Sequence, residues 1–256
     1  MSDSDDDSYE PEYEWETFSI KEGSDSDLYS FDVLCVVPPP LEYMSRLHTD
    51  EQEISGRQVW TGSLMACHYL SQHPNFVSGK TVLELGSGTG VLGMFAHRLN
   101  AKSVSLTDGD EQSVDLIRQN LERNRIDPEQ TSCSHMLWAD EPTQSSFSLM
   151  VKAKFPFNCD ARFERIIAGD VMYKRDLPSL FFQSVNEFLS DQGILLLSHI
   201  PRSCVDHEVV CLAAQNAGFT ASKIDLDKTK LHENVSGLCA DDSVRGCLYL
   251  ISRKTS

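Results

Sequence analysis

A glycine-rich loop between a short apolar segment and a helical pattern constrains the fold of this chain most strongly. The segment Thr81–Leu85 predicts a buried strand, the loop reads Glu84-Leu-Gly-Ser-Gly-Thr-Gly90, and residues 91–99 predict a helix. Glycines in such a loop let a ligand approach the backbone, while the N–H groups at the start of the helix point toward it. We therefore expect a ligand at this strand-to-helix turn.

Strand and helix patterns alternate along the rest of the chain. Further strands are predicted at 103–107, 132–138, 165–168, 193–199, 221–224 and 247–251, and helices at 64–73, 111–124, 177–189 and 204–217. This alternation is typical of an α/β fold with a doubly wound, Rossmann-like parallel sheet, here of seven strands, and helices on both faces. Ligands bind such sheets at the carboxyl ends of the strands, at the switch point.

The spacing of the glycines indicates which ligand the loop binds. The strand after the loop ends in Asp108, about 20 residues further on, where a carboxylate can accept both ribose hydroxyls of an adenosine ligand. A dinucleotide-binding loop reads GxGxxG, whereas Val91 takes the last position here and the spacing is GxGxG. This favours S-adenosylmethionine over NAD, and the absence of GxxxxGK[ST] from the sequence excludes a P-loop.

The loop belongs to a longer segment, Val82-Leu-Glu-Leu-Gly-Ser-Gly-Thr-Gly-Val-Leu-Gly93, that resembles motif I of the seven-strand methyltransferases. Four more segments narrow the resemblance to the family 16 protein-lysine methyltransferases. They are the tryptophan segment Gly56-Arg-Gln-Val-Trp60, the ribose-side Leu106-Thr-Asp-Gly-Asp110, the adenine-side Leu137-Trp-Ala-Asp140 and the DxxY motif Asp170-Val-Met-Tyr173. The similarity covers residues 56–251. It implies a class I methyltransferase fold that uses S-adenosylmethionine and modifies a lysine of a protein substrate.

The resemblance also implies a role for each matching residue. The backbone of Gly86, Ser87 and Gly88 would meet the methionine end of the cofactor, Glu84 would order its ammonium directly or through water, Trp60 would form a wall, Asp108 would bind the ribose, and Trp138 and Asp140 would border the adenine. Gly169 would contribute backbone to the site. It departs from the alanine that many relatives carry before the DxxY aspartate, and a glycine is expected to be tolerated there.

Asp170 and Tyr173 are the candidate catalytic residues. Methyl transfer from a sulfonium is an in-line displacement, so the enzyme must hold nucleophile, methyl carbon and sulfur collinear. A lysine has an ordinary pKa of about 10.4 and must also lose a proton. Asp170 would hold and orient the amine, and Tyr173 would line the channel, with a cation–π contact to the substrate as one contribution.

Other activities stay open at this point. Histidine N-methylation is the closest competitor, because some related seven-strand enzymes modify histidine. Methylation of RNA or of a small molecule is disfavoured because amino-methylating nucleic-acid enzymes carry an Asn/Asp-Pro-Pro-aromatic motif where this chain has Asp170-Val-Met-Tyr173. A non-catalytic binding module is disfavoured by the intact glycines. The calmodulin-lysine and elongation-factor-lysine branches of the family are not separated, so the substrate is expected to be a translation factor, a chaperone or a calmodulin-like protein.

Charge divides the chain unevenly. The formal net charge is −17, and residues 1–27 hold eleven acids and one base. We expect 1–27 to be an acidic disordered tail, 28–79 an N-terminal cap, and 80–256 the Rossmann-like domain. Residues 14–21 and 29–37, rich in aromatic and branched side chains, favour a β-hairpin that belongs to the cap.

Composition disfavours several partners. The eight cysteines form no CxxC pair and the eight histidines show no ligand spacing, so no metal site is expected. The chain lacks a basic stripe for nucleic acid, and its apolar runs are too short to span a membrane. It opens with acidic and polar residues instead of a secretory signal, which predicts a cytoplasmic or nuclear protein. A monomer is expected.

Overall fold

The structure, a computed structural model, describes residues 11–22, 27–38, 55–202 and 204–254. The strands are β1 (Tyr13–Glu22), β2 (Asp27–Val36), β3 (Thr81–Leu85), β4 (Ser103–Asp108), β5 (Thr131–His135), β6 (Phe163–Gly169), β7 (Leu189–His199), β8 (Phe219–Ile224) and β9 (Cys247–Arg253). The helices are α1 (Thr61–Gln72), α2 (Val91–Arg98), α3 (Glu111–Arg123), α4 (Glu141–Lys154), α5 (Leu177–Phe188), α6 (His207–Asn216), α7 (Lys228–Asn234) and α8 (Ala240–Arg245). Short 3-10 turns cover Ser55–Arg57 and Pro74–Phe76.

Seven strands form one sheet in the order β5-β4-β3-β6-β7-β9-β8. The predicted seven-stranded α/β sheet is therefore confirmed. The pairs β5–β4, β4–β3, β3–β6 and β6–β7 are parallel, whereas β9 runs antiparallel between β7 and β8. The sequence pattern did not report this reversal, because the alternation of side chains is the same in both directions. The order switches between β3 and β6, so a crevice is expected at their carboxyl ends.

Helices cover both faces of the sheet and close two apolar cores. Val82 faces a core that contains side chains of α1, α2 and the β1–β2 hairpin, and Leu83 faces the other, which contains side chains of α4, α5 and α6. Central parallel strands are buried on both faces for this reason, and every residue of β3 is buried. This double burial explains why β3 is apolar apart from Thr81 and Glu84.

The N-terminal hairpin corrects the boundary predicted at residue 27. Residues 13–22, assigned to a disordered tail, form β1, which pairs with β2 over its whole length. Phe18 and Ile20 lie in the same core as α1 and α2. The hairpin predicted from residues 14–21 and 29–37 is thus confirmed, and only the tail boundary was wrong, because acidic and polar residues alternate with the buried ones along β1. Residues 1–10 of the predicted tail and 23–26 of the predicted turn lie outside the described residues.

Three helices of the structure were not predicted. Helix α4 buries only Phe147 and Val151 of its fourteen residues, so its apolar periodicity is weak. Helices α7 and α8 have seven and six residues and bury one residue each. Elements this short and polar give little pattern to recognise.

Candidate active site

A cavity of about 860 Å³ opens at the carboxyl ends of β3, β4 and β6. It is lined by ten of the eleven predicted site residues, namely Trp60, Gly86, Ser87, Gly88, Asp108, Trp138, Asp140, Gly169, Asp170 and Tyr173. We call the part around Gly86, Gly88 and Asp108 the cofactor end, and the part around Asp170 and Tyr173 the acceptor end. Sequence segments more than 100 residues apart thus meet at one crevice.

The glycine loop is packed so closely that side chains do not fit on it. A Cβ atom on Gly86 would lie 2.9 Å from Cγ1 of Val171, and one on Gly88 would lie 2.6 Å from the carbonyl oxygen of Gly56. Both residues also have positive φ angles, 69° and 55°. The loop therefore presents bare backbone to the cavity, as an elongated ligand lying against it requires.

Asp108 ties the glycine loop to the next strand. Its Oδ2 accepts a hydrogen bond from the N–H of Gly88 at 2.8 Å, and its Oδ1 accepts one from the N–H of Asp110 at 3.0 Å. Burial raises the pKa of this carboxyl. Each carboxylate oxygen can accept a second hydrogen bond, so the predicted ribose contact is compatible with both internal ones. The same carboxylate shapes the loop and faces the ligand space.

Glu84 is the predicted site residue that does not line the cavity. Its Oε2 accepts a hydrogen bond from the N–H of Gly93 at 2.9 Å, behind the glycine loop, and the residue is 1% exposed. Burial raises the pKa of its carboxyl to about 8, so the neutral form predominates near pH 7. In this structure Glu84 supports the loop and the start of α2 from behind.

Trp138 and Asp140, the residues predicted to border the adenine, both line the cavity. The Trp138 ring packs edge-on against Phe181, with centroids 5.2 Å apart. Asp140 caps α4 by accepting a hydrogen bond from the N–H of Thr143 at 3.0 Å, and this bond is the main reason that its pKa is lowered. Its carboxylate therefore serves the helix as well as bordering the cavity.

The segment 55–60 lines the cavity from the cofactor end to the acceptor end. The indole N–H of Trp60 donates to the carbonyl of Ser55 at 2.7 Å, which fixes the ring as a wall. Arg57 belongs to the same motif but had no predicted role. It is buried, forms an ion pair with Asp110 at 3.2 Å and donates a hydrogen bond to the Tyr13 hydroxyl at 3.0 Å. The hairpin is thereby connected to the ribose side of the cavity.

Asp170 stands at the acceptor end, directly after β6. Its φ of 58° is left-handed, a conformation that is uncommon outside glycine and is found at functional sites. Its N–H donates to the carbonyl of Ser198 at 2.9 Å, and its Oδ1 accepts from the N–H of Ile200 at 3.3 Å. Burial raises its pKa to about 6. Tyr173 lies at the cavity rim and is 37% exposed.

Close packing of α1 explains the glycine before Asp170. A Cβ atom on Gly169 would lie 2.5 Å from Oγ and 2.7 Å from Cα of Ser63, and one on Gly62 would lie 2.6 Å from Cβ of Asp170. The N-terminal turn of α1 thus contacts the end of β6 backbone to backbone. The departure from alanine is more than tolerated here, because an alanine at position 169 would displace α1.

Arg202 is a functional candidate that sequence reasoning missed. It follows β7, lines the cavity, and places its Nη2 2.5 Å from Oδ2 of Asp170. The signal was available, since β6 and β7 are parallel neighbours and their carboxyl ends meet at one edge. A search for charged residues shortly after each predicted parallel strand would have included Arg202 with Asp108 and Asp170.

Comparisons with known proteins agree with this geometry. The model of a family described as lysine methyltransferase matches residues 44–211. The chain belongs to the lysine methyltransferase family. It is 26% identical over 177 residues to the protein N-lysine methyltransferase METTL21A of Xenopus tropicalis, covering 68% of this chain and 74% of that one. It is 26% identical over 140 residues to the EEF1A lysine methyltransferase 3 of the same organism, covering 55% of each.

A solved structure confirms the methyltransferase fold of this family member. A TehB-like S-adenosylmethionine-dependent methyltransferase from Corynebacterium glutamicum superposes with a TM-score of 0.50 at 14% identity, covering 83% of this chain and 97% of that one. Membership of the lysine methyltransferase family confirms the predicted activity, methylation of protein lysine, and the predicted cofactor, S-adenosylmethionine. The bare glycine backbone beside Asp108 fits that cofactor.

The described residues contain no group of three histidine, cysteine, aspartate or glutamate side chains placed to hold a metal ion. Among the same residues, no helix combines the length and the apolar character needed to cross a bilayer.

Proposed function

We propose that Asp170 receives the side-chain amine of a lysine from a protein substrate and that Tyr173 lines the entrance to it. The observation that carries this proposal is the position of the Asp170 carboxylate, whose side chain is 1% exposed and faces the same cavity as the glycine loop. A buried carboxylate that retains a place on a cavity wall is suited to hold one polar group of a ligand. The glycine loop, which lines the same cavity, would hold the methyl donor.

Catalysis at this site would consist mainly of positioning. S-adenosylmethionine, when bound, supplies an electrophilic methyl group. The lysine nitrogen must approach as a free amine, because the ammonium form has no lone pair to donate. Asp170 would accept one N–H of that amine and so aim the lone pair into the cavity. Trp60 and Tyr173 would enclose the aliphatic part of the lysine side chain and limit the access of water.

The rim of the cavity fits a protein substrate. Tyr173 and Leu137 are 37% and 44% exposed and line the opening, so they would contact the surface around the modified lysine. One relative is named for its action on the elongation factor EEF1A. A translation factor, a chaperone or a calmodulin-like protein is the proposed substrate class. The monomeric state and the cytoplasmic or nuclear location stay predictions.

The proposal is tested by locating the transferred methyl group. The purified chain is incubated with tritiated S-adenosylmethionine in a lysate of cells that lack this enzyme, and labelled proteins are digested and sequenced by mass spectrometry. We expect the label on a lysine Nζ of one or a few proteins. Label on a histidine ring, on RNA or on a metabolite would overturn the lysine assignment. Heat-inactivated enzyme is the control for other methyltransferases in the lysate.

A further inference from the structure

Arg202 reaches the acceptor carboxylate from the loop after β7. Its backbone exchanges two hydrogen bonds with Val205, at 2.9 and 3.2 Å, which fix the start of the side chain. Its Nη2 lies 2.5 Å from Oδ2 of Asp170. The Arg202 side chain is 25% exposed and that of Asp170 only 1%, so the ion pair extends from the buried end of the cavity toward its opening.

Two further contacts hold the guanidinium in this place. Nη1 of Arg202 lies 3.7 Å from Oδ1 of Asp242 on α8, and the guanidinium lies over the Trp60 ring at 5.5 Å from its centroid. Asp242 also pairs with Arg245 at 2.6 Å. Arg202 is therefore held by groups from three separate segments, and its planar fork is pre-organised against Asp170. An ordinary exposed ion pair has one partner, whereas the Arg202 guanidinium has contacts with Asp170, Asp242 and Trp60.

We infer that Arg202 is a positioning residue for methyl transfer, which keeps the Asp170 carboxylate ionised and aimed at the acceptor and favours arrival of the substrate lysine as a neutral amine. This inference rests on the proposed role of Asp170. Both oxygens of that carboxylate already accept one hydrogen bond, from Arg202 and from the N–H of Ile200. The remaining lone pairs are enough for an N–H of a neutral amine, while a second full cation would meet the charge of the guanidinium.

The charge of Arg202 lowers the pKa of the Asp170 carboxyl and should also lower the pKa of a bound substrate amine. Burial raises the pKa of Asp170 to about 6, and the charge of Arg202 is the largest influence that opposes this rise. Without the guanidinium, the carboxyl would protonate closer to neutral pH. A lone carboxylate would also stabilise the ammonium form of the substrate, whereas a neighbouring cation disfavours it. Loss of Arg202 would therefore raise the pKa of the Asp170 carboxyl and the pKa of the substrate amine.

Other charged groups near the pair do not reverse this expectation. From α8, the negative charge of Asp242 is shared between Arg202 and Arg245. At the end of β7, His199 is close enough to Arg202 to be influenced by its charge, and burial lowers the pKa of its ring to about 4, so it is neutral above pH 6. The pH dependence of the rate above pH 6 should thus report on Asp170 and the substrate amine.

The test is the pH profile of Arg202→Gln beside Arg202→Lys. Initial rates are measured with tritiated S-adenosylmethionine and the proteins of a lysate from cells that lack the enzyme, from about pH 6 to 10. Because the pair's charge is lost, we expect Arg202→Gln to be about tenfold slower near pH 7.5, with the rising limb moved up by about one pH unit and most of the rate regained at high pH. Arg202→Lys keeps the positive charge, so the rising limb of its pH–rate profile should stay at the wild-type pH.

The control is Arg118→Gln, which removes an exposed arginine paired with Asp115 at 2.5 Å on α3, outside the cavity. It should leave both rate and profile unchanged. A uniform loss of rate by Arg202→Gln at every pH, or wild-type behaviour throughout, would overturn the inference. If Arg202→Gln melts early, Arg202→Lys decides, because a limb moved upward in that variant contradicts a role for the charge. A wild-type rate for Asp170→Asn would instead refute the proposed function itself.

Discussion

The two ends of the cavity are built in different ways. At the cofactor end, the glycine backbone forms the cavity wall. The N–H of Gly88 donates a hydrogen bond of 2.8 Å to Asp108, only 20 residues away. At the acceptor end, side chains meet from distant segments: Asp170 from β6, Arg202 from the loop after β7, and Trp60 from the segment before α1. The cofactor end depends on local geometry, whereas the acceptor end depends on long-range packing and charge.

This difference matches what each end has to recognise. A methyl donor that is the same for a whole family can be held by a fixed backbone loop, whose glycines leave no room for variation. An acceptor that differs between relatives is better served by side chains, which can change without disturbing the sheet. We therefore expect substitutions at the two ends to separate cofactor binding from transfer.

The largest expected effect concerns the hairpin, which tests whether the cofactor end is self-contained. Deleting residues 1–27 removes the buried Phe18 and Ile20 and the Tyr13 hydroxyl that holds Arg57. Burial of each apolar side chain contributes about 1.5 to 3 kcal/mol, so the free energy of unfolding should fall by roughly 3 to 6 kcal/mol. Thermal denaturation measures it. Deleting only 1–10, which are mostly acidic residues and serine, is the control and should change little.

An unchanged melting temperature after the longer deletion would show that β1 packs too weakly to matter. It would also restore the boundary at residue 27 that the sequence suggested. Weaker S-adenosylmethionine binding in a folded remnant would extend the cofactor end to the hairpin.

The next effect is expected for Gly88→Ala, which challenges the cofactor end alone. The new Cβ would lie 2.6 Å from the Gly56 carbonyl oxygen at a φ of 55°, so the loop must move. Strain and displacement of roughly 3 kcal/mol would weaken S-adenosylmethionine binding about 100-fold by calorimetry. Gly79→Ala is a matched control, because its φ is 70° but its Cβ would meet nothing within 4 Å among the described residues. It should lower stability slightly and leave the affinity alone.

Equal losses of affinity in the two glycine variants would mean that general backbone strain, and not displacement of the glycine loop by the Gly56 contact, weakens binding.

A smaller effect is expected for Asp108→Ala. Loss of the predicted hydrogen bonds to the ribose and of the bond from the Gly88 N–H should weaken S-adenosylmethionine binding by about 1.5 to 3 kcal/mol. Asp115→Ala, an exposed aspartate on α3, is the control and should bind normally. Calorimetry that finds wild-type affinity for Asp108→Ala would remove this carboxylate from the cofactor end.

The sequence placed the glycine loop and Asp108 at one cavity but missed the charged residue beside Asp170. Glycine spacing and a strand-final aspartate are local signals, and the structure places Gly86, Gly88 and Asp108 together as expected. Glu84 differs because its orientation depends on the buried N–H of Gly93, which the motif does not show. Arg202 was missed because its significance arises only from the parallel pairing of β6 and β7.

The sequence also did not predict the antiparallel direction of β9 or the weakly amphipathic helix α4. The reversal of β9 and the presence of α4 follow from packing on the completed sheet, to which local propensity contributes little.

The most direct test of the two-ended cavity is Asp170→Asn, measured for cofactor binding and for transfer on the same preparation. Asparagine keeps the size of the side chain but lacks its charge and half of its acceptor oxygens. With an unchanged melting temperature, we expect S-adenosylmethionine affinity within about twofold of wild type and transfer to lysine slowed by more than about 100-fold. Transfer at the wild-type rate, or a parallel loss of affinity and transfer, would contradict the account.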